Sequence, residues 1–278
     1  METIPYKYPL RILLATTGLS TIARSLFGSN FVQVAGIIDC RNSGNSCYEY
    51  AKQHYIPHCF FHSFAQMNKW MTPLNVDLMI VYKMPFLLPP EIIEIPRYGA
   101  INIHPSLLPL YRGANPWFWL YYHMESRSGV TIHKIDNYAD HGDILAQISF
   151  PITMGEILPV VQKYSEIKAA LLLKYVLMHW YEIKPIPQKS ISNSVYATNH
   201  IDYDNLLDLN RIEGIRLWHL LRGFPWLLKK LYPDASLNSY KIGVFIPRHS
   251  QKKIGHIVKI ENKDYFICCD GMIEVIKY

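Results

Sequence analysis

No Cys-x-x-Cys pair occurs among the five cysteines, Cys40, Cys47, Cys59, Cys268 and Cys269. Their odd number and scattered spacing argue against a disulfide framework and against tetrahedral zinc, and fit free thiols in a reducing compartment. Basic runs are short as well: no Lys/Arg cluster exceeds a pair, and the net charge of +6 is spread along the chain. Such a balance suits an anionic small molecule at least as well as nucleic acid. Long apolar runs are missing. The most apolar helical stretch, AALLLKYVLMHWY, is broken by Lys174 and is too short to span a bilayer. The start, METIPYKYPLRILLATTG, has only a short apolar run after Pro9 and does not read as a signal peptide. A cytoplasmic protein without membrane or metal partners is expected. A dinucleotide fingerprint is also absent: ATTGLSTIA has one glycine where Gly-x-Gly-x-x-Gly would stand, and GSNFVQVAGIID carries no phosphate-loop lysine. Hydride or phosphoryl chemistry on a nucleotide cofactor therefore has little support.

What is present is ordinary globular material, half of it hydrophobic and 18% charged. Short apolar runs at 10–16, 32–39, 76–82 and 100–104 alternate with helical segments, the pattern of a parallel sheet covered on both faces. Strands are expected again at 129–135 and 143–150, followed by a helix from Glu156 to Glu182. The fold class is thus α/β, a Rossmann-like, mostly parallel sheet. The stretch IKPIPQKSISNSVYATNH is rich in Pro, Ser and Asn and lacks periodicity, so residues 184–205 read as a linker. It separates a catalytic domain over 1–183 from a small domain over 206–278, read as one amphipathic helix, NRIEGIRLWHLLRGF, and four short strands that could form a barrel.

One strand ends unusually, in INIHPSLLPLYRGANPW. Asn102 and His104 stand two residues apart, so their side chains share one face of a strand. Burying an amide and an imidazole without partners costs about 1–3 kcal/mol each. Ligands of open α/β sheets bind beyond the carboxyl ends of the strands, which makes this pair a candidate site. A second polar cluster, HKIDNYADHGDIL, places Asp136, Asp140 and Asp143 near His133 and His141. Its spacing matches no EF-hand loop, and Asp136 and Asp143 read as a solvated turn.

Together, GAINIHPSLLPLYRGANPW and GVTIHKIDNYADHGDILAQ closely resemble the formyltetrahydrofolate-dependent formyltransferases. The shared pattern is Asn-x-His-x-Ser-Leu-Leu-Pro with a later Asp-x-Gly, here Asn102, His104, Ser106, Leu107, Leu108 and Pro109, then Asp140 and Gly142. The likeness is strongest over about 76–150, and IRLWHLLRGFPW and GHIVKIENKDYFICCDGMIEVI resemble the family's C-terminal helix and barrel-like domain.

The resemblance implies transfer of a formyl group from 10-formyltetrahydrofolate to an amine, without metal or covalent nucleophile. It implies that Asn102 and His104 form an oxyanion hole for the formyl oxygen. One such donor is worth roughly 2.7–4 kcal/mol of barrier. Asp140 would orient His104 and help take the proton from the amine. It further implies a folate pocket built mostly of backbone from Met84, Phe86, Leu87 and Leu88 and from Asn137, Tyr138, Ala139 and Gly142. Tyr82-Lys83-Met84-Pro85-Phe86 departs there from the family's Gly-bearing version. Ser106, Tyr111, Arg112 and Gly113 are expected near the substrate, Ser106 also able to bond locally and Arg112 either binding phosphate or anchoring its loop.

For the acceptor, the stretch IIDCRNSGNSCYEYAKQ lacks the basic, Gly-rich insertion by which the family's methionyl-tRNA enzymes engage RNA. TTGLST is a poor match to the phosphate turn of the glycinamide ribonucleotide enzymes. Sugar N-formyltransferases combine this length, core and appended domain. The expected acceptor is therefore a nucleotide-linked amino sugar destined for surface polysaccharide such as O-antigen, with a homodimer as a candidate assembly. The alternatives are a methionyl-tRNA formyltransferase or a formyltetrahydrofolate hydrolase. The latter usually carries an N-terminal regulatory domain, for which a first strand near residue 10 leaves no room.

Overall fold

A computed structural model describes residues 9–18, 21–40, 46–189, 200–233, 240–247 and 252–277. Strand β1 (Leu10–Thr16) is a buried aliphatic run, as a strand covered on both faces must be. It pairs in parallel with β2 (Val32–Asp39) on one side and β4 (Leu78–Tyr82) on the other. Beyond β2 lies β3 (His58–Phe60), and beyond β4 lies β5 (Ala100–His104), both parallel to their neighbours. Strand β6 (Arg127–Lys134) then runs antiparallel to β5, and β7 (Ile144–Pro151) closes the order β3-β2-β1-β4-β5-β6-β7. The Rossmann-like, mostly parallel sheet is therefore present, with an antiparallel turn of the chain at the site of interest.

Helices α1 (Thr21–Leu26), α2 (Ser46–Gln53), α3 (Phe64–Met71) and α4 (Pro90–Ile93) connect the parallel strands. Met67 and Met71 of α3 and Ile92 of α4 join Leu13, Ala15, Ile38, Met79 and Val81 in one apolar cluster. Helix α5 (Pro116–Tyr122) precedes β6, and α6 (Leu158–Met178) fills most of the expected 156–182 helix. No helix among the described residues is long and apolar enough to cross a membrane.

The rest of the chain comprises α7 (Tyr203–Leu206), α8 (Gly214–Gly223) and α9 (Leu227–Leu231), then β8 (Tyr240–Pro247), β9 (Ile257–Ile260), β10 (Lys263–Cys268) and β11 (Gly271–Lys277). These four strands form an antiparallel sheet ordered β8-β11-β10-β9, with β8 and β9 as its edges rather than a closing pair.

Two compact units result. One is Met1–Gly113, Gly129–Phe150 and Tyr164–Tyr196; the other is Ala114–Ser128, Pro151–Lys163 and Ala197–Tyr278. The second unit thus takes in 114–128 and 151–163, which the sequence reading put in the 1–183 domain. The reason is aromatic packing: Tyr121 of α5 stacks on His219 of α8 with ring centres 4.4 Å apart, and its hydroxyl donates to the Glu156 carbonyl. Of the linker read at 184–205, residues 190–199 lie outside the described residues.

Candidate active site

The antiparallel register puts Asn102 directly opposite His133 and His104 opposite Thr131, so all four side chains share one face of β5 and β6. The loop after β6 folds back, and the Asp140 carboxylate meets this face. Asn102 Nδ2 donates to Asp140 Oδ1 at 3.0 Å, and His104 Nδ1 lies 3.3 Å from Oδ2. The Gly113 amide donates to the same Oδ2 at 2.8 Å. Asn102, His104 and Asp140 are thus brought together as the sequence pattern implied.

Backbone carbonyls can only accept, and this fixes the ring tautomers. His104 Nε2–H donates to the Tyr111 carbonyl at 2.8 Å, and His133 Nδ1–H to the Lys134 carbonyl at 2.7 Å. His133 Nε2 is then free to accept the second Asn102 amide proton at 3.2 Å. Both protons of the Asn102 amide and the Nε2 proton of His104 are therefore engaged within the protein. A buried donor must be satisfied. Of these bonds, the one from His104 to the neutral Tyr111 carbonyl is the cheapest to exchange, about 1 kcal/mol net against about 1.5–3 for bonds to the charged Asp140.

Burial alone would raise the Asp140 carboxyl, but the His104 and His133 rings beside it and the Gly113 amide hold it down at about 2. It is ionised at neutral pH. His104, almost wholly enclosed, is pushed below the usual histidine range by that burial, against the opposing pull of Asp140. A neutral ring with its proton on Nε2 leaves Nδ1 facing the carboxylate, so a proton taken up there would lie between His104 and Asp140.

The residues expected near the substrate hold the loop after β5. Ser106 is fully buried, and its hydroxyl donates to the Leu110 carbonyl at 2.7 Å, so it bonds locally. Tyr111 and Arg112 are also buried. Tyr111 supplies the carbonyl that His104 holds, Gly113 supplies the amide that holds Asp140, and Arg112 bonds Gln188 from Nε at 3.0 Å and Nη2 at 2.7 Å. For Arg112, loop anchoring is the reading that the contacts favour. Ser106, Tyr111 and Arg112 turn inward, and the loop holds His104 and Asp140 in place.

Of the expected folate segments, Met84, Phe86 and Leu88 turn their side chains into the apolar cluster, and Phe86 stacks near Phe61 with centres 4.3 Å apart. Their backbone and the exposed Leu87 remain to meet a ligand. In the second segment Tyr138 is exposed, and the Asn137–Ala139 turn is held by the Tyr138 amide donating to Asp136 Oδ1. His141 pairs with Asp136 at 2.7 Å rather than joining the site. Gly142 allows no side chain: a Cβ there would overlap the Lys134 carbonyl.

Three contributors were missed by the sequence reading. His133 appeared only as a neighbour of the aspartate cluster, although Thr131 and His133 repeat on β6 the two-residue polar spacing of Asn102 and His104. Thr131 donates to the Ser106 carbonyl, accepts from the Leu108 amide and receives Gln147 at 2.8 Å, pinning the turn after His104. Gln188, in the segment read as linker, carries no local signal.

A cavity of about 330 Å³ lies where β1 and β4 end, lined by Thr16, Thr17, Thr21, Arg24, Tyr82, Lys83 and Glu166. Lys83 pairs with Glu166 at 3.0 Å. The strand order turns back between β1 and β4, the crevice where open α/β sheets hold ligands. Strand β4 neighbours β5, with Val81 level with Asn102.

Residues 50–170 match the protein family described as Formyl transferase. The methionyl-tRNA formyltransferase of Ehrlichia canis (strain Jake) is 30% identical over 216 residues, covering 72% of this chain and 71% of that protein. Among solved structures, the N-formyltransferase from Helicobacter canadensis, in complex with folinic acid and dTDP-3-aminofucose, is 19% identical with a TM-score of 0.66. That match covers 97% of this chain and 100% of the other. Phosphoribosylglycinamide formyltransferase from Bacillus halodurans is 22% identical with a TM-score of 0.57, over 62% of this chain and 95% of its own.

Proposed function

The chain belongs to the formyl transferase family, and from that premise we propose that it carries a formyl group from 10-formyltetrahydrofolate to the amine of a nucleotide-linked amino sugar. The observation that carries the chemistry is the convergence of Asn102 and His104 on Asp140, on a face flanked by two ligand-compatible backbone segments. The donor fits this setting: Tyr138 and His141 are exposed in the 137–142 loop, and Leu87 is exposed in the 84–88 segment. When bound, the folate supplies an electrophilic formyl carbon. His104 offers its Nε2 proton to the oxygen on which charge builds, giving up the Tyr111 carbonyl. Asn102, oriented by His133, fixes Asp140, and Asp140 takes the proton that the acceptor amine must lose as it bonds the formyl carbon, a proton balanced by the one the folate nitrogen gains when its bond to that carbon breaks.

For the acceptor, the cavity beside β4 supports an anionic, hydroxyl-bearing molecule: Arg24 offers a cation, Lys83 is held beside it by Glu166, and three threonines offer hydroxyls. Near-complete mutual coverage with the Helicobacter canadensis enzyme supports the same reading. Products would be N-formylated sugars for surface polysaccharide. A second reading, formylation of methionyl-tRNA, is favoured by the named function of the Ehrlichia canis relative.

Purified chain incubated with 10-formyltetrahydrofolate and a panel of nucleotide-linked amino sugars should yield formylated sugar by mass spectrometry. Turnover confined to charged initiator tRNA would establish the second reading. Folate consumption without any acceptor would instead indicate a hydrolase.

A further inference from the structure

We propose that Gln188 is a positioning residue that ties the two loops of the catalytic site together and thereby aims the Asp140 carboxylate. The proposal rests on the reading of Asn102, His104 and Asp140 as the reacting set, but not on the identity of the acceptor. The Gln188 carboxamide has two donor protons and two acceptor lone pairs, and all four are used. Its Nε2 donates to the backbone carbonyls of Asp140 at 3.0 Å and Gly142 at 2.7 Å. Its Oε1 accepts from Nε and Nη2 of the buried Arg112 at 3.0 and 2.7 Å. A guanidinium on one side of an amide polarises it and strengthens donation from the other side.

Each loop that Gln188 grips holds one partner of His104. Tyr111, next to Arg112, accepts from His104 Nε2, and Asp140 faces Nδ1. Both loops also carry backbone that does not hold itself. Asp140 sits at φ +50° and Tyr111 at φ +59°, the left-handed region that costs a residue with a Cβ about 1–2 kcal/mol. Such conformations persist only where surrounding contacts over-determine them. Gln188 supplies those contacts at the strained residue itself.

The placement of Gln188 is equally determined. Ile186 forms a two-way bridge with Ile144 at the start of β7, both bonds 2.8 Å, which lays this segment beside the Asp140 loop. Pro185 and Pro187 fix φ on either side of Ile186 and keep the segment extended, so Gln188 arrives in a set register.

The test reads the geometry of the site without an acceptor. The full chain, labelled with ¹⁵N-histidine, is titrated by NMR, with the His104 signals assigned through His104→Gln. Groups facing His104 are Asp140 from the β6–β7 loop, Tyr111 from the loop after β5, and His133 from β6. Asp140 favours the charged ring. In Gln188→Met, of similar volume but without hydrogen bonds, the carboxylate should loosen and the His104 midpoint should fall by at least one pH unit. The melting temperature would drop only modestly. An unchanged His104 titration in that variant would overturn the proposal, because a merely structural glutamine would lower stability without moving it. Should Gln188→Met fail to fold, Gln188→Asn, which cannot span both loops, is read by the same criterion.

Discussion

Asp140 gathers bonds or close contacts from four groups, Asn102, His104, Gly113 and His133. Its charge, rather than its volume, is what these groups need. Asp140→Asn should therefore lower the rate of formyl transfer at least 10²-fold while the chain stays folded, as checked by circular dichroism. Near-normal turnover would remove Asp140 from the mechanism. His133 acts one step back, turning the Asn102 amide. His133→Ala should cost about tenfold in kcat with the folate KM nearly unchanged, because its contacts are to Asn102 and Asp140 and not to a ligand. The convergence of the trio was legible because Asn102 and His104 share a strand face and because Asp140 belongs to a compound pattern with them. Gln188 was not legible. Its partners are 46 to 76 residues away, and a glutamine between prolines and serines looks like any solvated connector.

At the scale of elements, the aliphatic strands were read almost to the residue, since a run such as LMIVY buried at every position has few alternatives. The three-residue β3 and four-residue α4 are too short to show a period. Helix α5 was missed for another reason. PWFWLYY is aromatic throughout and has no polar face, so only Pro116 at its first turn hints at a helix. Its packing on α8 supplies the rest. In the same unit Gly155 sits at φ +76°, its amide donates to His219 Nδ1, and an added Cβ would overlap the Trp218 ring. Gly155→Ala combines backbone strain with overpacking and should cost about 2–4 kcal/mol, seen as a lowered melting temperature.

For the whole molecule, acid is the expected weakness. Burial pushes His58, His104, His123 and His219 below the ordinary range, His219 to about 4. A histidine with a depressed folded value stays neutral in the fold but binds a proton when unfolded. Its stabilisation is complete above about 6.5 and is lost as pH falls toward the folded value. For His219 alone this is about 3 kcal/mol between pH 6.5 and 4. Asp140, held at about 2 against an ordinary 3.8, has the same sign in a lower window: its share, about 2 kcal/mol, is lost between roughly pH 4 and 2. Chemical denaturation at pH 7.5 and 5 should thus give clearly lower stability at pH 5. His219→Phe, which keeps a ring against Tyr121, should flatten that dependence.

Local pattern was enough to determine an α/β sheet, its strand ends and the residue types of the reacting set, because periodicity and two-residue spacing translate directly into faces. Which groups those residues touch was decided only when the chain closed on itself. Register across β5 and β6 chose His133 for Asn102, and a bridge at Ile186 delivered Gln188 to Asp140. The inward turn of one loop made anchors of residues expected to meet substrate. Hydrogen-bond partnership depends on distances of about 3 Å in space, and a linear spacing of dozens of residues carries no information about them.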